Sequence, residues 1–118
     1  MKVSTPLFAD GVFPANCPSR TVLDHVTSKW GVLVLLALSE SGTLRWSELR
    51  RRAQGVSEKM LAQTLRMLEV DGFISREARP VVPPHVEYSL TDRGAEIAAL
   101  LNPLMVWIVA NAEDILNP

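Results

Sequence analysis

The sequence predicts a mainly α domain carrying one small β-hairpin, and three stretches predict it. Residues 32–38, VLVLLAL, are apolar all round, which places their helix at the centre of a core. Leu61, Leu65 and Leu68 recur at i, i+4 and i+7, the buried stripe of a second helix. Val86, Tyr88 and Leu90 alternate with polar residues, as in a half-buried strand. At 118 residues the chain makes one domain, able to remove about two-thirds of its surface from water without disulfides or metal.

Each element has its own justification. Residues 1–18 carry Pro6, Pro14 and Pro18 and no sustained period, so they read as an N-terminal arm, and residues 19–118 as the folded domain. A short helix follows over Ser19–Val26, with Ser19 as its cap. The central helix runs from a Thr27 or Ser28 cap to Gly42, with Gly31 as an unexplained weak point inside it. TLRW fits a short strand leading into Ser47 as the cap of a helix over 48–53, which stops at Gly55. Ser57 caps the next helix, where Val56 and Leu61 can form a hydrophobic staple, and Gly72 ends it. FISRE and VEYSL form a two-stranded hairpin around the proline-rich ARPVVPPH. Thr91 caps a last helix from 92 to about 116, and Pro103 predicts a kink or break near Leu101–Asn102.

Charge is uneven along the chain. Gly42–Arg79 holds eight cationic and five acidic side chains, a net +3, while the remainder nets −4. A basic middle on a near-neutral protein suits a nucleic-acid face, and ordinary solvated helix charge is the alternative. The first sixteen residues lack the apolar core and cleavage site of a signal peptide. AEIAALLNPLMVWIVA is interrupted by Glu96, Asn102 and Pro103 and falls short of the roughly 20 residues of a bilayer span. The expectation is a soluble, cytoplasmic protein with no membrane contact. Cys17, His25 and His85 have no recognised metal-ligand spacing, and nothing beside Cys17 supplies both a base and an oxyanion site. No cofactor, metal or enzymatic activity is expected.

The predicted order is helix, helix, short strand, helix, tight turn, helix, hairpin, helix. Two helices joined by a glycine-containing turn make a helix-turn-helix, and a hairpin after them makes the wing of a winged helix-turn-helix. At 100° per residue, Lys59, Gln63 and Arg66 lie opposite the leucine stripe of the 57–72 helix. Gln suits adenine, and Lys and Arg suit guanine or phosphate. Ser57 and the N–H groups beside it offer an anion site at the helix start. The predicted DNA-contacting set is Arg45, Ser47, Ser57, Lys59, Gln63, Thr64, Arg66, Arg76 and His85, with the Arg50–Arg52 run and Arg79 on the same side. His25 is expected to pack or to be solvated. A winged-helix module for protein contacts without operator binding is the competing class.

Three segments, NCPSRTVLDHVTSKW, LRWSELRRRAQGVSEKMLAQTLRMLEVDGFISR and PPHVEYSLTDRG, resemble the HxlR family of winged-helix regulators over about residues 17–116. Ser28-Lys29-Trp30-Gly31 and Trp46 depart from that family's usual residues. The resemblance implies a homodimer on a palindromic double-stranded DNA operator, held by the first and last helices. Leu100, Leu101, Leu104, Met105, Trp107, Ile108, Ile115 and Leu116 agree, being more apolar surface than one kinked helix can hide. It also implies that Cys17, at the family's Cys-Pro position, senses oxidants, quinones or aldehydes. Independently, Arg20 and the adjacent helix start favour its thiolate. As the only cysteine it can form an intersubunit or mixed disulfide, an adduct or a sulfenic acid. A regulator with a non-covalent effector is the other reading.

Overall fold

The structure, a computed structural model, describes residues 15–118. Most of the predicted arm lies outside the described residues, and Pro18 already belongs to the first helix. Five helices and three strands follow: α1 Pro18–Val26, α2 Lys29–Ser41, β1 Thr43–Arg45, α3 Trp46–Arg52, α4 Glu58–Val70, β2 Ile74–Arg79, β3 His85–Leu90 and α5 Asp92–Leu116.

The caps explain most boundaries. Ser28 accepts from Gly31 N, Ser57 from Met60 N and Thr91 from Gly94 N, each closing a first turn with its side-chain oxygen. Two predicted caps are corrected. Cys17, not Ser19, is the N-cap of α1, where Pro18 presets the first helical φ. Arg45, not Ser47, precedes α3, and its backbone N–H donates to Glu48 Oε1 at 2.8 Å. Gly31 is explained by close approach, since a Cβ there would sit 2.6 Å from Ser28 Oγ and 2.7 Å from the His25 carbonyl oxygen.

The predicted hairpin is present as β2 and β3, and the short strand β1 joins it in a three-stranded antiparallel sheet of order β1-β3-β2. Leu44 stands opposite Tyr88, and both are buried, so β1 adds its one apolar residue to the core face. Across β2 and β3 the register pairs Ile74 with Leu90, Arg76 with Tyr88 and Arg79 with His85. The core forms around α2, where Val34, Leu35 and Leu38 meet Leu49 of α3, Leu61, Leu65 and Leu68 of α4, Ile74, Tyr88 and Leu101. Val32, Leu33 and Leu36 are only half-buried, so α2 is central without being enclosed.

α5 runs through Pro103 as one helix, so of the expected kink or break the break does not occur. A proline removes one backbone donor, and the helix on either side is long enough to carry the gap. At 25 residues, with a mean hydropathy of 1.5 over an 18-residue window, α5 also meets the length and composition of a bilayer span, which the shorter apolar run read from sequence did not. Ala98 and Leu101 bury against the core, while Leu100, Leu104, Val106, Trp107, Val109, Ile115 and Leu116 stay exposed.

Candidate nucleic-acid interface

α3 and α4 are joined by Ala53–Ser57, with Gly55 at φ 92° in a conformation that side-chain-bearing residues rarely adopt. Val56 then drops into the core beside Leu61, which fixes how α4 leaves the turn. With Leu61, Leu65 and Leu68 inward, Lys59, Ala62, Gln63, Arg66 and Val70 are left on the outer face. Thr64 is corrected out of that face. It is buried, and its hydroxyl donates to the Met60 carbonyl at 2.8 Å, the back-bond common for threonine inside a helix.

The sheet register completes the site. Arg76 shares a sheet face with Tyr88, which turns it toward α4 and not toward the outer side of the wing. Between α4 and the wing lies a groove of about 620 Å³, lined by Trp46, Gln63, Arg66, Glu69, Val70 and Arg76. Trp46 separates it from a second cleft, formed by Arg45, Ser47, Pro84 and His85. The 100° projection already puts Val70 on this face, but Trp46 as a groove wall was not legible in the sequence, because neither pattern nor charge marks it.

Ion pairs divide the cations into two groups. Arg50 reaches Glu58 at 3.0 Å, Arg52 reaches Glu40 at 3.0 Å, and Arg79 reaches Glu87 at 3.1 Å and Glu77 at 3.4 Å. Of the cations predicted on that side, Arg50, Arg52 and Arg79 are therefore engaged by carboxylates. Arg45, Arg51, Lys59, Arg66 and Arg76 have no carboxylate partner among the described residues. His85 is likewise engaged within the wing, with Nε2 3.0 Å from Glu87 and Nδ1 3.3 Å from the Pro83 carbonyl. The His85 hydrogen bond, then Arg79, holds the Glu87 carboxyl below the usual carboxylate range, and Glu87 raises Arg79 in return. At the start of α4, Ser57 already takes one free N–H and Glu58 places a carboxylate beside it, so the anion site is narrower than predicted.

Cys17 is half-exposed at the head of α1. The Arg20 backbone N–H is the main group holding its thiol below the ordinary value. Partial burial works against it, and Ser19 adds to it. His25, expected to pack or be solvated, places Nδ1 2.5 Å from Asp71 Oδ2 at the end of α4. No three His, Cys, Asp or Glu side chains converge as a metal site among the described residues.

A helix-turn-helix with a small antiparallel wing, and unpaired polar side chains along the outer face of its second helix, defines a transcriptional regulator of the winged helix-turn-helix class. The chain matches the HxlR-like helix-turn-helix over residues 25–115 and belongs to that family. It is 54% identical over 116 residues to the HTH-type transcriptional regulator YtfH of Escherichia coli K12, covering 98% of this chain and 91% of that one. Its fold is similar to the solved transcriptional regulator ytfH from Salmonella typhimurium, with TM-score 0.83, 56% identity and coverage of 90% and 94%. It is also similar to the redox regulator HypR in its oxidized form, with TM-score 0.73, 35% identity and coverage of 80% and 97%.

Proposed function

We propose that this protein is a cytoplasmic homodimer that reads a palindromic operator with α4 and changes its affinity when Cys17 is modified. The observation that carries the DNA reading is the exposed row of Lys59, Gln63 and Arg66, without a carboxylate partner among the described residues and flanked by Arg76 across the groove. Gln63 reads a base edge in the major groove, while Lys59 and Arg66 contact guanine or phosphate. Arg45, Ser47, Ser57 and Arg76 fix the backbone on either side. Two such rows need a two-fold partner to read a palindrome. The exposed apolar residues of α5 support that partner: Leu100, Leu104, Trp107, Ile108 and Ile115, with Met105 half-buried beside them. Leu101 is set aside from the predicted interface because it is already buried in the chain's own core.

Cys17 supports a redox or electrophile response through its exposure, its lowered pKa and the similarity to a redox regulator. A thiolate adds to a quinone by forming a C–S bond without a leaving group, which suits a chain with one cysteine. An apolar cleft of about 250 Å³ between α2 and α5, lined by Val32, Leu33, Leu104 and Ile108, supports a second reading with a non-covalent effector. The test is to select duplexes from random DNA with the purified protein, with and without diamide or a quinone. A shared palindrome is expected, bound differently after treatment. Recovery of no common sequence would overturn operator binding in favour of a protein-contact module.

A further inference from the structure

The C-terminal end of α4 is held in an unusual way. The Glu69 and Leu68 carbonyls are closed by backbone: Gly72 N donates to Glu69 O, and Phe73 N to Leu68 O, a Schellman arrangement with Gly72 at φ 81°. The Asp71 carboxylate takes no part in that closure. An anion there also opposes the helix dipole, whose C-terminal pole favours cations, and the last turn of α4 contains no basic residue. Two cationic or donor side chains from elsewhere in the chain converge on Asp71 instead. Arg93 of α5 donates Nη1 to its backbone carbonyl at 2.9 Å, and His25 of α1 meets its carboxylate at 2.5 Å. An ionised carboxylate only accepts, so the histidine Nδ1–H is the donor.

α1 has little else to hold it. It buries only Val26, and His25–Asp71 is the one side-chain hydrogen bond joining it to α4 among the described residues. From the other side, Thr91 Oγ1 donates to the Gly72 carbonyl, and Gly94 packs against the Phe73 carbonyl so closely that a Cβ would collide with it. The end of α4 is thus gripped between α1 and the start of α5. Arg66 and Gln63 lie only five and eight residues before Asp71 on the same rigid helix.

We propose that His25 and Asp71 form a positioning pair that fixes the orientation of α4 against α1, and so sets how well the protein discriminates its operator from other DNA. The proposal rests on the operator-reading function proposed above and adds to it two residues remote from the contact face. Through the pair, any displacement of α1, including one begun at its Cys17 cap, is passed to the α4 end.

The experiment compares affinity for a duplex selected by the wild-type protein with affinity for a scrambled duplex of the same length. The proteins are wild type, His25→Leu, Asp71→Leu, the double variant and His25→Asn, each with a thermal melt. Each leucine variant is expected to lose about tenfold in the operator-to-scrambled ratio, with scrambled binding unchanged. The double variant loses no more than a single one, because both remove the same link. His25→Asn keeps an N–H near the Nδ1 position and restores the ratio. Should a leucine variant not fold, His25→Phe keeps a ring of similar shape without the N–H donor and gives the same comparison. Folded variants that keep the wild-type ratio, or a double variant whose loss is the product of the two single losses, would overturn the pair. If wild type itself shows no preference, the operator-reading function has failed and the pair falls with it.

Discussion

Gln63 on α4 and Arg76 on the wing line the same groove, yet they are expected to behave differently. Gln63→Ala removes a bidentate donor-acceptor side chain, so it should cost about 1–3 kcal/mol at one base pair per half-site and little on operators altered there. Measured over a panel of single-base operator variants, a uniform loss would sink its base-reading role. Arg76 sits on the wing, where phosphate is the nearer target. Its replacement by alanine should weaken all sequences alike and flatten the slope of log affinity against log salt by about one unit. Cys17 is a different kind of residue, since its chemistry is not packing. With the Arg20 N–H holding the thiol below its ordinary value, more of it is thiolate at neutral pH than in an unperturbed cysteine. Alkylation by iodoacetamide should therefore rise with pH along a curve whose midpoint lies below that of free cysteine. Operator affinity of wild type should respond to diamide or a quinone while Cys17→Ser does not. An equal response in both would place the effector elsewhere, with the cleft between α2 and α5 as the first place to look.

Among the elements, the junction of β3 and α5 carries more than its length suggests. Thr91 caps α5 by accepting from Gly94 N at 3.1 Å, and its hydroxyl also donates to the Gly72 carbonyl at the end of α4. Thr91→Ala removes both bonds, so it should destabilise the fold by about 1–2 kcal/mol. Gly94→Ala should destabilise by about 1–3 kcal/mol, because the obstacle to its Cβ is the Phe73 backbone, which cannot rotate away. Denaturant unfolding checks both. A Gly94→Ala protein as stable as wild type would show that α5 and the β2 start separate freely.

For the whole molecule, the exposed apolar surface of α5 is the feature that a single chain leaves unexplained. Trp107 is 57% exposed and Val109 78%, in a helix whose other side packs on α2. If a second copy covers them, Trp107→Ala should weaken the dimer by about 2–4 kcal/mol, with operator binding lost in parallel. Sedimentation that still reports a tight dimer would move the interface to α1 and the arm. How much of this was legible in the sequence follows from the range of the forces involved. The leucine stripe of α4, the Ser57 and Thr91 caps and the glycine stops are local, so periodicity and cap chemistry revealed those helices and the outward row of Lys59, Gln63 and Arg66. Tertiary structure alone decided the rest. β1 joined the wing and Leu101 went to the core because each depended on a partner far along the chain. The same holds for charge. Which arginines stay free depends on whether a carboxylate eight or twelve residues away folds into reach, as Glu58 does for Arg50 and Glu40 for Arg52. His25 and Asp71 are 46 positions apart, and no periodicity joins residues at that distance; only packing α1 across the end of α4 does.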